Sequence, residues 1–155
     1  MDDFEKFYKA SVRYLSFRAR SEKELSDYLT KKQCDALTAK RILDSLKRDK
    51  FLNDEEFAKM WIRERTLIKP KAIRIIKMEL KQKGISKELI DSLFENSDDS
   101  PSDLNLAVQL TEKKLRTIHD QTDRYKVKEK LGRYLAGKGF DWDTIKAAID
   151  QVLAK

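Results

Sequence analysis

The sequence predicts an all-α protein built as three tandem three-helix modules, and three observations carry that prediction. Composition is the first. Four Gly and two Pro among 155 residues, with 39% charged and 40% hydrophobic side chains, leave few chain breakers among many strong helix formers. The second is the spacing of apolar residues by three and four along most of the chain, the period of a helix with one buried stripe. The third is a repeat. With Leu29, Leu80 and Leu135 as equivalent origins, the positions four earlier are Leu25, Ile76 and Leu131. Ten later come Ala39, Ile90 and Ile145, then Ile42, Leu93 and Ala148, then Leu43, Phe94 and Ile149. All are apolar, and Gly84 and Gly139 recur four residues after the second and third origins.

In order, Phe4, Phe7, Tyr8, Val12, Leu15 and Ala19 outline a first helix from the N-terminus to about Arg20. Ser21-Glu22-Lys23-Glu24 has the form of a capping box, so a second helix starts there and turns Leu25, Tyr28 and Leu29 inward. A third follows from about Leu37 and ends near Lys50. Asn53, with Asp54, Glu55 and Glu56 behind it, opens a fourth that carries Phe57, Met60, Trp61 and Leu67 inward.

The next stretch, Lys69 to Gly84, is bounded by its own residues. Pro70 suits a first turn and Gly84 a left-handed terminator. On a helix it sets Ala72, Ile73, Ile76 and Leu80 against a basic face of Lys71, Arg74, Lys77 and Lys81. Ser86 starts a sixth helix, and NSDDSPS, Asn96 to Ser102, is a polar hinge. Three more helices carry Leu104 to Leu115, Val127 to Leu135 and Ile145 to Val152. The modules are therefore placed at 1–50, 51–98 and 99–155. Units of about 50 residues are marginal alone, so an elongated row stabilised between neighbours is expected.

Net charge is +7, and it is segregated. From Arg63 to Lys83 eight basic residues face only Glu64 and Glu79, whereas from Ile85 to Asp103 Lys87 alone faces six acidic residues. A basic surface of this kind attracts DNA phosphates or an acidic protein groove. A solvated helix face is the plain alternative.

Catalytic chemistry finds no constellation. His119 is the single histidine, beside Asp120 in a connection, and reads as a solvated loop residue. Cys34 stands alone, which excludes an internal disulfide framework and reads as a partly buried thiol. No phosphate-binding glycine loop or metal-ligand cluster occurs, so neither an enzyme nor a cofactor is expected. Trp61 and Trp142 read as core residues, and packing is the stronger reading of Tyr14 and Phe17 beside Arg13, Arg18 and Arg20. The start of the chain is charged from its second residue and no apolar run approaches a membrane span, so a cytoplasmic protein without membrane contact is expected.

Four stretches resemble a known family. RARSEKEL (Arg18 to Leu25), LNDEEFAKMWIRER (Leu52 to Arg65), MELKQKGI (Met78 to Ile85) and KLGRYLAGKGFDWDTI (Lys130 to Ile145) are similar, in order and spacing, to the module motifs of RecX. That family regulates the bacterial RecA recombinase. The resemblance implies a monomeric, noncatalytic inhibitor that binds in the groove of the RecA filament on DNA. There it would limit strand exchange, ATP hydrolysis, repressor cleavage and filament growth, and so regulate DNA repair and the SOS response. By position it implies contacts from Arg18 and Arg20 in the first module, and from Arg63, Arg65, Lys69, Lys71, Arg74, Lys77, Lys81 and Lys83 in the second. Lys130, Arg133 and Lys138 would serve in the third. Asp54, Phe57, Glu79, Gly84 and Gly139 read as caps and packing. The competing reading is a direct DNA-binding regulator acting through its basic face alone.

Overall fold

The computed structural model describes residues 2–95 and 101–154, and among these residues the secondary structure is helical throughout, with no strand. The helices are α1 (Asp3–Phe17), α2 (Glu22–Lys31), α3 (Ala36–Arg48), α4 (Asp54–Arg63), α5 (Ile73–Gln82), α6 (Lys87–Glu95), α7 (Asp103–Leu115), α8 (Arg124–Gly137) and α9 (Trp142–Leu153). A π-helical turn, Glu64–Ile68, extends α4. The chain forms two compact units, Met1–Trp61 with Leu80–Leu93 and Ile62–Glu79 with Phe94–Lys155, so the division falls within α4 and α5.

Each unit has its own core. In the first, Leu25, Leu29, Ile42, Leu46 and Leu52 are buried between α1, α2 and α3, with Phe4, Phe7, Tyr8 and Val12 packed on them. In the second, Leu106 and Leu110 of α7, Leu131 and Leu135 of α8, and Ile145 and Ile149 of α9 form the centre, joined by Ala72 and Phe140. The origins of the repeat, Leu29, Leu80 and Leu135, and the residues four before them are all 0% exposed.

The repeat extends to the backbone. Leu29, Leu80 and Leu135 each accept, through their carbonyls, an N–H from five residues on, at Cys34, Ile85 and Phe140. The residue before each of these donors is left-handed: Gln33 at φ +66°, Gly84 at +83° and Gly139 at +95°. Two residues past each of these stands the cap of the next helix. Asp35 accepts from the Thr38 N–H, Ser86 from Leu89 and Asp141 from Thr144. A second recurrence lies inside each unit. Asp54, the first residue of α4, accepts the Glu22 N–H at the start of α2 at 2.7 Å, and Asp103, the first of α7, accepts the Ile73 N–H at the start of α5 at 2.8 Å. The orphan donors of one helix are thus satisfied by the helix two places on.

Four expectations need correction. Helix α5 begins at Ile73 rather than at Pro70, because Lys69, at φ −128° and ψ 72°, lies outside the helical region that a following proline disfavours and Ala72 gives its N–H to the Lys138 carbonyl at 3.1 Å. Leu67 is 70% exposed: the wide turn, closed by a Lys69 N–H to Glu64 carbonyl bond, inserts a residue and swings the following side chains off the buried face. Trp142 is exposed, since it holds the first position of α9 while the buried stripe starts at Ile145. Phe17 is exposed on the last turn of α1, which ends there with Ala19 outside it. The hinge expected over NSDDSPS, with the boundary at 98, lies outside the described residues except for Pro101 and Ser102, the latter capping α7.

Candidate functional site

The cationic residues singled out in the sequence fall into distinct settings. In the first unit, three of them converge on Glu24. Its carboxylate accepts the Ser21 N–H at 3.0 Å in the capping box that the sequence predicts, and receives Arg18 and the Lys83 ammonium, the latter at 3.3 Å. Arg20 stands 4.0 Å from the same carboxylate and stacks its guanidinium over Tyr14, 4.0 Å from the ring centroid, while Tyr14 stacks on Tyr28. Lys83 also lies over Trp61 at 5.5 Å. Burial opposes ionisation of Glu24, but the Ser21 N–H and the Arg18 guanidinium outweigh it and hold the carboxyl below its ordinary range. Three cations share one carboxylate here, so the cluster anchors the capping box and keeps a net positive charge.

In the second unit a cleft of about 300 Å³ brings together Arg65, Lys69, Lys71, Lys113 and Lys138, with Ile68, Pro70, Leu110 and Tyr134 completing its walls. Glu79 steadies one side. It accepts Arg65 Nε at 3.2 Å and Lys71 Nζ at 2.9 Å, and with only 17% of its side chain exposed it fixes both cations at the rim. Lys69 and Lys113 are exposed and make no ion pair with another described residue. Lys138 lies 5.4 Å from the Tyr134 ring centroid, and Lys114 approaches the same ring at 5.1 Å. The five cations reach one place because the π-helical turn and the non-helical Lys69-Pro70 segment run past α7 and the end of α8.

The remaining predicted residues do not join this cleft. Arg74 donates Nε to the Gly139 carbonyl at 2.7 Å and so helps terminate α8. Lys77 lies 5.2 Å from the Phe94 ring centroid. Arg63 and Lys81 are exposed without an ion pair among the described residues. Lys130 and Arg133 border a separate, broader cleft with His119, and Arg133 pairs with Glu129 at 2.6 Å. The basic face read along Lys71, Arg74, Lys77 and Lys81 is therefore not one uninterrupted free surface: Lys71 precedes the helix, and Arg74 is committed to a backbone carbonyl. Lys113 was missed by sequence reasoning. It sits on α7, far along the chain from the basic stretch Arg63 to Lys83, and only tertiary packing brings it to the cleft.

His119 is an exposed loop residue, and burial pushes the Cys34 thiol above its ordinary pKa, away from the reactive thiolate. Among the described residues no group of three His, Cys, Asp or Glu side chains is placed to hold a metal ion, and no helix is long and apolar enough to cross a membrane.

Comparison with known proteins gives a consistent result. Family models for the first, second and third three-helix domains of RecX match residues 8–46, 53–92 and 102–149. The chain is 33% identical over 149 residues to the regulatory protein RecX of Clostridium perfringens strain SM101, a match that covers 96% of this chain and 69% of that one. It is 32% identical over 151 residues to the regulatory protein RecX of Oceanobacillus iheyensis, of which it spans 55%. The chain thus spans between about half and two thirds of the length of these relatives. The crystal structure of RecX from Lactobacillus salivarius superimposes with a TM-score of 0.75 at 28% identity, over 99% of both chains.

Proposed function

The chain belongs to the RecX family of regulatory proteins, and on that premise we propose that it is a noncatalytic inhibitor of the RecA recombinase that binds in the groove of the RecA filament on DNA. In this reading its modules, 1–50, 51–98 and 99–155, each contribute contacts, and the protein acts as a cytoplasmic monomer that limits strand exchange, ATP hydrolysis, repressor cleavage and filament growth. The outcome is restraint of DNA repair and of the SOS response. The observation that carries the proposal is the cationic cleft of the second unit, five basic side chains with no carboxylate among its lining residues, set on a fold of the RecX family. A fixed cluster of this kind favours an acidic surface and speeds encounter with it. Several weak contacts on a repeating polymer add through effective concentration, so a chain with more than one contact gains avidity that no single small module supplies.

Direct binding to DNA through the basic face is the competing mechanism, and the two differ in what they require. Measuring DNA-stimulated ATP hydrolysis by RecA alongside DNA occupancy separates them. Filament binding predicts that hydrolysis falls while the DNA remains covered by RecA. Loss of hydrolysis only in proportion to DNA sequestered by this chain would contradict it.

A further inference from the structure

The π-helical turn Glu64–Ile68 leaves two large apolar side chains in solvent, Leu67 at 70% and Ile68 at 64% exposure. A helix that continued from α4 without the inserted residue would not present this pair, and wide turns of this kind recur at functional sites because they are otherwise unfavourable. The turn is held deliberately. Thr66 is buried and its hydroxyl donates to the Ile62 and Arg63 carbonyls, at 2.9 and 3.2 Å, which satisfies groups that the wide turn loosens. Ile68 belongs to the wall of the cationic cleft, so an apolar patch and a cluster of ammonium and guanidinium groups adjoin each other.

We propose that the π-helical turn and the cleft of Lys69, Lys71, Lys113 and Lys138 together form a docking site for an acidic peptide segment of a partner protein, anchored by a large apolar side chain against Leu67 and Ile68. The proposal deepens the filament-binding reading and rests on it, by naming the chemistry of the segment that this unit recognises. Charge complementarity selects an acidic occupant: Glu79 offsets part of the charge of Arg65 and Lys71, and Lys69, Lys113 and Lys138 leave the cleft with a positive excess. The exposed pair favours a peptide over a nucleic acid strand, because an aliphatic side chain matches Leu67 and Ile68, whereas the bases of a single strand are held best by stacking on aromatic rings. The aromatic ring points the same way. Single-strand binders stack bases on open rings, whereas Tyr134 already engages the Lys114 and Lys138 ammonium groups.

The test uses the full chain and fluorescence anisotropy with three labelled probes: a short peptide of glutamates interrupted by leucines, an all-glutamate peptide of equal length, and an oligothymidylate of equal charge. The leucine-containing peptide is expected to bind tightest. Lys69→Glu with Lys113→Glu should weaken it about tenfold or more, and Leu67→Ser with Ile68→Ser by roughly the same factor. Lys69→Arg with Lys113→Arg, which keeps both charges, should retain binding and so separates loss of charge from loss of fold. No peptide binding by the wild-type chain, equal binding of the all-glutamate peptide, or tighter binding of oligothymidylate would each overturn the proposal. Inhibition of RecA by the wild-type chain, measured in parallel, tells the two levels apart: inhibition without peptide binding removes only the docking site, whereas absence of inhibition removes the filament reading.

Discussion

Glu24 shows how a carboxylate becomes structural when its surroundings are arranged for its charge. Its side chain is 13% exposed, and the Ser21 N–H, Arg18, Arg20 and Lys83 are all within reach of it. Half of this arrangement is legible in the sequence, because a capping box needs only Ser21 and Glu24 three residues apart. The link to Lys83 is not, because that residue lies 59 positions away and only the fold brings it near. Burial alone would raise the pKa of Glu24, yet the Ser21 N–H and Arg18 lower it below the ordinary 4.5. A carboxyl with a lowered folded-state pKa adds stability that is fully present above its unfolded value and is lost as pH falls through the folded one. Glu24→Gln should therefore destabilise the protein by about 2 kcal/mol near neutral pH, by loss of charge-assisted bonds, and by much less at about pH 3. Urea unfolding at the two pH values measures this, and an equal effect at both would show that the charge of Glu24 contributes nothing.

Among the helices, the ends carry as much information as the buried stripes. Gly84 and Gly139 mark helix termini in the sequence, and both adopt the left-handed backbone that such positions need. The equivalent residue of the first repeat is Gln33, which takes the same conformation at φ +66° with a side chain that disfavours it. Gln33→Gly should stabilise the protein by roughly 0.5–1 kcal/mol. Gly139→Ala should cost about 1–3 kcal/mol, because a Cβ there clashes with Ile75 Cγ1 and meets Cδ1 at 3.0 Å in addition to the backbone strain. Thermal and urea denaturation check both, and a destabilising Gln33→Gly would break the equivalence of the three termini. The π-helical turn is the element that apolar spacing could not announce. Leu67 fits a helical stripe when counted from Met60, and the inserted residue that turns it outward leaves no mark in composition. Pro70 is a related case. Its preference for a first turn is real, but Asp103 and Lys138, both from later helices, supply the partners that start α5 at Ile73 instead.

Over the full chain, periodicity and repeat made the all-α, three-helix organisation readable, since each depends on residues close in sequence. The proposed interaction surface was readable only in part. Local charge excess drew attention to Arg65, Lys69 and Lys71 and the family resemblance to Lys138, while Lys113 required tertiary structure; Arg18, Arg20 and Lys83 share Glu24, and Arg74 donates to a backbone carbonyl. What distinguishes this protein from a generic basic helical binder is the proposed choice of a protein polymer over bare DNA. Cosedimentation with RecA filaments, assembled on DNA with a nonhydrolysable nucleotide, and with the same DNA alone at equal ionic strength puts that choice to the test. The chain should pellet with the filaments, and Lys69→Glu with Lys113→Glu should reduce the bound fraction, while little of it pellets with naked DNA. Equal pelleting with naked DNA and with filaments would contradict the filament-binding account.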